Sequence, residues 1–72
     1  MEIRKLERIA NNISKKYGPL VNIEVSATTY DITLTSPANI WEKIADTYHL
    51  TKVDNKTAMG EVAGEYIIAY SW

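Results

Sequence analysis

The spacing of apolar residues changes near residue 18 of this 72-residue chain. Before that point apolar side chains recur every three or four positions, as on one side of a helix; they are Ile3, Leu6, Ile9, Ala10, Ile13 and Tyr17. After it, apolar and polar residues alternate over 20–27 and again over 28–35. Alternation is typical of half-buried strands, so the pattern favours an α+β fold.

The first helix is predicted to run from near residue 2 to Tyr17. Gly18 suits a left-handed cap after the helix, and Pro19 cannot continue it. The next two segments, 20–27 and 28–35, are predicted to pair as a hairpin. The turn at 27–29 has neither Gly nor Asn, so its type stays open.

A second helix is predicted after Ser36, with the Ser36 hydroxyl as N-cap and Pro37 as the first helical residue. Its end is expected near His49. Its buried side is predicted to be Ile40, Trp41, Ile44, Ala45 and Tyr48. The remaining predicted elements are a short strand at 51–53, a turn at 54–56, a strand at 57–62 and a last strand at 65–72.

These elements predict one compact α+β domain over residues 1–72. We expect the order α-β-β-α-β-β or α-β-β-α-β, with both helices on one face of a three- or four-stranded antiparallel sheet. The other face of this two-layer sandwich is rich in threonine and should meet water. That polar face is a candidate binding surface.

Charge is unevenly divided along the chain, although the formal net charge is only −1. Residues 1–19 carry five basic and two acidic residues, and the remainder carries three and seven. Six basic or amide side chains share the outer side of the first helix, and we call them the basic helix face: Arg4, Lys5, Arg8, Asn12, Lys15 and Lys16. Arg4 and Lys5 oppose the helix dipole, which stability alone would not favour. The face is either an ordinary solvated surface or a partner-binding one.

The aromatic residues are two Trp and five Tyr, with no Phe. Every ring therefore carries a polar group, which suits partly buried and interface positions. In the last strand alternate positions form what we call the aromatic row: Tyr66, Ile68, Tyr70 and Trp72. A buried row would complete the core. An exposed row would anchor a partner protein or stack bases, and if this C-terminal strand lies at a sheet edge, it would also allow a homodimer.

The residue types needed for catalysis or metal binding are sparse. The chain has no cysteine, and His49 is its single histidine. His49 is interpreted as a helix-end or surface residue, and the spacings Asp46/His49 and Glu61/Glu65 arise readily by chance. Residues 60–64 contain two glycines but match no phosphate-binding loop. We therefore expect no enzymatic activity, no metal site and no cofactor.

The sequence contains no apolar run approaching the roughly 20 residues needed to span a bilayer, and its first residues do not lead into a signal peptide. We therefore expect a cytoplasmic protein without membrane contact.

Two functions remain as hypotheses. The first is a small non-enzymatic protein-interaction module, a regulator, adaptor or inhibitor that binds a larger protein. Small chains of this kind are often encoded by phages and mobile elements, an analogy that rests on size. The alternative is binding to the nucleic-acid backbone through the basic helix face. The sequence pI of about 5.7 argues against it, because dedicated nucleic-acid-binding domains usually exceed 9.

Overall fold

The computed structural model describes residues 3–72, which form two helices and one five-stranded sheet. The helices are α1 (Ile3–Tyr17) and α2 (Ala38–Thr47), and a short 3₁₀ turn (Gly18–Leu20) follows α1. The strands are β1 (Asn22–Ser26), β2 (Asp31–Ser36), β3 (Thr51–Lys52), β4 (Thr57–Val62) and β5 (Glu65–Ser71). The predicted start of α1 near residue 2 lies outside the described residues. The α+β class is confirmed.

The sheet differs from the expected one in size and in strand direction. Its order is β1-β2-β5-β4-β3, so it has five strands instead of three or four. The β2–β5 pair is parallel, whereas the other three pairs are antiparallel. The predicted all-antiparallel sheet was therefore wrong, because the chain passes through α2 and a β3–β4 hairpin before it returns beside β2.

Strand β5 lies at the centre of the sheet and not at its edge. β2 pairs with one of its sides and β4 with the other. Its main-chain groups are thus committed on both sides, and the expectation that this strand could pair with a second copy at an open edge was wrong.

Both helices cover the same face of the sheet. α1 contacts β1 and β2, and α2 contacts β2 and β5. The side chains buried between the layers come from both helices (Leu6, Ile9, Ala10, Ile13, Ile40, Trp41, Ile44, Ala45) and from the central strands (Ile32, Leu34, Ala58, Ile67, Ala69). The predicted two-layer arrangement is confirmed, and we call the sheet face turned away from the helices the open face.

The start of α2 differs from the prediction. Ser36 is the last residue of β2, paired with Ser71, and Pro37 takes the N-cap position. The Ser36 side chain is fully buried, and its hydroxyl has no hydrogen-bond partner among residues 3–72. Pairing with β5 holds the Ser36 backbone in the sheet, so its hydroxyl does not cap the helix.

Both helices end in left-handed residues. After α1 the left-handed residue is Gly18, with φ of 69°, as predicted. After α2 it is His49, with φ of 56°, and the Leu50 N–H donates a 2.9 Å hydrogen bond to the Ala45 carbonyl. This bond runs from the N–H of the sixth residue of the segment to the carbonyl of the first, which is the signature of a Schellman motif. His49 is therefore a helix-terminating residue, in agreement with its interpretation from the sequence.

Candidate functional site

The aromatic row lies on the open face of the sheet. Ile67 and Ala69 of β5 are buried beneath the helices, so the alternate side chains of this strand face away from them. Tyr66 and Tyr70 are 40% and 41% exposed, and Trp72, one position beyond the strand, is 64% exposed. Of the two alternatives for this row, buried in the core or exposed, the structure shows the exposed one.

Strand register sets the neighbours of each ring in the row. Asp31 of β2 and Glu61 of β4 flank Tyr66, in one line across the sheet. Thr35 and Thr57 flank Tyr70 in the same way. The row is thus bordered by carboxylates at one end and by hydroxyls at the other.

The middle of the open face is apolar and is bordered by polar side chains on the side of β1 and β2. Ile68 lies opposite Thr33 on one side and opposite Met59 on the other, and Glu24 of β1 lies beyond Thr33. The Tyr66 hydroxyl donates a hydrogen bond of 2.9 Å to the Met59 sulfur. This bond lies within the exposed surface and fixes the direction of the Tyr66 ring.

The open face carries acidic but no basic side chains among the described strand residues. Its acidic residues are Glu24, Asp31 and Glu61, one each from β1, β2 and β4. The ion pairs found within residues 3–72 lie elsewhere, between Lys5 and Glu65 at 4.0 Å and between Lys52 and Glu42 at 3.9 Å. The open face is therefore negatively charged at neutral pH.

The basic helix face lies in the other layer of the molecule. Its six side chains, Arg4, Lys5, Arg8, Asn12, Lys15 and Lys16, are all exposed. Positive and negative surfaces thus occupy opposite layers of the molecule, with the apolar core between them.

Part of the basic helix face borders a recess. Lys5, Arg8 and Asn12 border a recess of about 270 Å³ whose other walls are Ile9, Tyr48, Val62 and Ala63. Lys16 lies 6.0 Å from the centre of the Tyr17 ring. A second recess, of about 480 Å³, lies between α1 and the edge strand β1 and is lined by Glu7, Ala10, Asn11, Ser14, Ile23 and Val25. The structure therefore divides the predicted face into a recess and flanking positions.

Tyr48 lines the smaller recess, and the pKa of its phenol is shifted. Partial burial raises its pKa above the ordinary value, and the neighbouring Tyr17 adds a smaller contribution in the same direction. The Tyr17 hydroxyl itself donates a 3.2 Å hydrogen bond to Thr47, at the end of α2. The raised pKa keeps the Tyr48 hydroxyl protonated at neutral pH.

The weak catalytic and metal-binding candidates have other structural positions. His49 terminates α2, and the Glu65 carboxylate is turned to the helix side, toward Lys5. Glu61 and Glu65 lie on different strands, with Glu61 on the open face. Within residues 3–72 no three His, Asp or Glu side chains come together as a metal site.

Sequence reasoning named the aromatic row but missed its acidic neighbours. Asp31 and Glu61 lie 30 residues apart in the chain, and they reach the same ring only because β5 pairs with both β2 and β4. Alternation did carry part of the signal, because Asp31 shares its side of β2 with the threonines. Which strand stands between β2 and β4 could not be read from that alternation.

Neither helix within residues 3–72 combines the length and apolar character needed to cross a bilayer. When the chain was compared with known proteins, no family model, no curated protein and no solved structure matched it.

Proposed function

We propose that this chain is a small non-enzymatic protein-interaction module, a regulator, adaptor or inhibitor that binds a larger protein through the aromatic row. The observation that carries the proposal is which side chains of β5 face the helices and which face away from them. The strand turns Ile67 and Ala69 inward and leaves Tyr66, Tyr70 and Trp72 exposed. Tyr and Trp are the residue types that most often dominate the binding energy of protein interfaces.

Exposing apolar side chains to water is unfavourable, and a partner that covered the aromatic row would remove this penalty. Open faces of antiparallel sheets are usually polar, as the threonines here are. Two tyrosines and an isoleucine at the centre of that face, with Trp72 at its end, instead form a continuous apolar stripe along one strand. Burying such rings against a partner would release their hydration while each hydroxyl keeps a hydrogen bond.

Charge favours a protein partner over stacked bases at this surface. Aromatic side chains on a sheet can stack bases, but the same surface must then accept phosphates. Asp31 and Glu61 would repel phosphates at the Tyr66 end of the row, and Glu24 adds negative charge to the same face. A protein surface with basic or neutral groups meets no such repulsion.

The test compares variants of the two candidate surfaces in one capture experiment. The row variant is Tyr70→Thr with Trp72→Thr, since threonine suits strands and already flanks Tyr70. The helix variant is Arg4→Glu, Arg8→Glu and Lys15→Glu. Each tagged protein is passed through extract of its native cell with and without nuclease, after circular dichroism has shown that it is folded.

We expect one stoichiometric protein to be retained by the wild type and the helix variant, with or without nuclease, and lost by the row variant. Equal retention by the row variant would overturn the proposal. Loss of all bound material after nuclease would also overturn it.

The basic helix face supports nucleic-acid binding as the second candidate function. Its side chains are all exposed, and the recess beside it collects Lys5, Arg8 and Asn12 as three donors on one side of α1. Phosphate contacts through such residues would make the affinity fall steeply with salt. A fluorescence-anisotropy titration at 50 and 200 mM salt measures this dependence, and the helix variant should abolish the binding.

A further inference from the structure

We propose that the Tyr66 end of the aromatic row binds a lysine or arginine side chain of the partner protein, an inference that rests on the proposed function. The cation would lie on the exposed Tyr66 ring, between the carboxylates of Asp31 and Glu61. Register supports this arrangement, because both acidic residues are direct cross-strand neighbours of Tyr66. Adjacent strands lie about 4.8 Å apart, so the backbones of Asp31 and Glu61 lie at similar distances on the two sides of Tyr66.

The Tyr66 ring is held in place before any ligand arrives. Its hydroxyl donates to the Met59 sulfur at 2.9 Å, which leaves both carboxylates free of this hydroxyl and 40% of the tyrosine exposed. A cation is attracted to the face of an aromatic ring, and neighbouring carboxylates add to that attraction. A ring already fixed in direction loses less freedom on binding.

The two flanking carboxylates have no basic partner among the described lysine and arginine side chains. Within residues 3–72 no lysine or arginine nitrogen lies within 4 Å of Asp31 or Glu61. The basic helix face is in the other layer, behind the core. The negative charge of the open face is therefore left for an external cation, and this complementarity identifies the partner group as basic.

The geometry also favours a side-chain cation over a bare metal ion. Asp31 and Glu61 are on strands separated by β5, so their backbones are roughly 10 Å apart, with the Tyr66 ring between them. Calcium needs six or more oxygen ligands at about 2.4 Å, which two carboxylates on either side of a ring do not supply. A long stem with a terminal charge reaches over the ring and meets both.

Tyr70 provides a control within the same strand. It shares the strand, the face and the exposure of Tyr66, at 41% against 40%, but has Thr35 and Thr57 as its neighbours. A cation that recognised tyrosine alone would bind at both rings. A cation that needs the carboxylates would choose Tyr66.

The experiment titrates the labelled chain with N-acetyl-arginine amide and with N-acetyl-citrulline amide, its neutral counterpart, and follows backbone amides by NMR. The test variant is Asp31→Asn with Glu61→Gln. Its control is Glu7→Gln with Glu42→Gln, which changes the net charge equally in the helix layer. The same variants are then compared in the partner-capture assay described above.

We expect arginine amide, but not citrulline amide, to shift signals around Tyr66 more than those around Tyr70. The test variant should weaken this binding by about fivefold or more, as loss of two exposed charge pairs implies, and the control by less than twofold. Equal shifts at both rings, or equal binding by the test variant, would overturn the proposal. Light scattering tests for a second copy as the partner. If the wild type self-associates and the test variant does not, the partner is a second copy and the proposal is also overturned.

The two proposals fail in different ways. If the row variant loses the captured partner while the test variant keeps it, the interaction module stands and the cation site is wrong. If arginine amide binds at Tyr66 but the captured protein is retained equally by the row variant, the cation site on the chain stands and the proposed function is wrong.

Discussion

The indole nitrogen of Trp41 donates a 2.9 Å hydrogen bond to the main-chain carbonyl of Ala69, and so joins α2 to the centre of β5. The small side chain of Ala69 leaves room for the indole above the strand, and both residues are almost fully buried. This contact explains why β5 turns its smaller side chains inward. The bulkier tyrosines would compete with Trp41 for the same space.

Replacing Trp41 with phenylalanine should lower the free energy of unfolding by about 1–3 kcal/mol, because the carbonyl loses its donor and the core loses volume. Urea denaturation followed by circular dichroism measures this. Trp72→Phe is the matched control, since Trp72 is 64% exposed, and should change stability by less than about 0.5 kcal/mol. Equal effects of the two substitutions would contradict the assignment of the two indoles.

The two sides of β5 should respond differently to truncation. Ile67→Ala removes a fully buried side chain and should cost about 2–5 kcal/mol. Tyr70→Thr changes an exposed position to another strand-favouring residue and should cost no more than about 1 kcal/mol. Chemical unfolding of both variants at pH 7 checks this. A larger loss for Tyr70→Thr than for Ile67→Ala would place the aromatic row in the core.

Left-handed positions should be more stable with glycine. His49 has φ of 56°, so His49→Gly should raise the free energy of unfolding by about 0.5–1 kcal/mol. Gly18 has φ of 69°, so Gly18→Ala should lower the free energy of unfolding by a similar amount. The added Cβ meets nothing within 4 Å, and only the backbone is strained. Thermal melts of the two variants should shift in opposite directions.

The buried hydroxyl of Ser36 should be dispensable. Ser36→Ala removes a polar group without a hydrogen-bond partner among residues 3–72 and should leave stability unchanged or raise it by up to about 1 kcal/mol. Ser26→Ala is the contrasting change, since the Ser26 hydroxyl accepts a 3.1 Å hydrogen bond from the Thr29 N–H. It should cost about 0.5–1 kcal/mol in the same urea assay. A clear loss in Ser36→Ala would reveal a bond that this hydroxyl makes in solution.

Alkaline pH should weaken the fold through Tyr48. Its pKa in the folded chain is raised from 10.0, mainly by burial, so the unfolded chain releases this proton first as pH rises. The resulting stability is fully present below pH 10 and is lost as pH rises through the folded pKa. Tyr48→Phe should therefore lose less stability than the wild type between pH 8 and 11. Parallel urea curves at both pH values measure the difference, and identical losses would contradict it.

Local pattern predicted the elements better than their assembly. The apolar period located α1, β-branched and aromatic residues located β5, and Gly18 ended α1 as its conformational freedom suggested. The signal at Ser36 was misleading because it is equally compatible with a strand end, and pairing with Ser71 decided between them. Such pairing joins residues 35 positions apart, which no local pattern shows.

The candidate site was likewise predictable only as far as local pattern determines it. Alternation grouped Tyr66, Tyr70 and Trp72 on one side of the last strand, but both sides of that strand are apolar enough to be buried. The choice between them was made by Trp41, a residue of α2 whose packing against Ala69 is a long-range contact. The acidic neighbours of Tyr66 likewise depended on which strands flank β5.

The central place of β5 also affects how the molecule is made. The hairpins β1–β2 and β3–β4 are not hydrogen-bonded to each other; they are joined only by β5, which follows both in the chain. A nascent chain lacking residues 65–71 would have neither a continuous sheet nor an aromatic row. A partner that docks on that row would therefore distinguish molecules in which β5 has joined the sheet from those in which it has not. Its binding would protect the closed form from proteolysis by mass action.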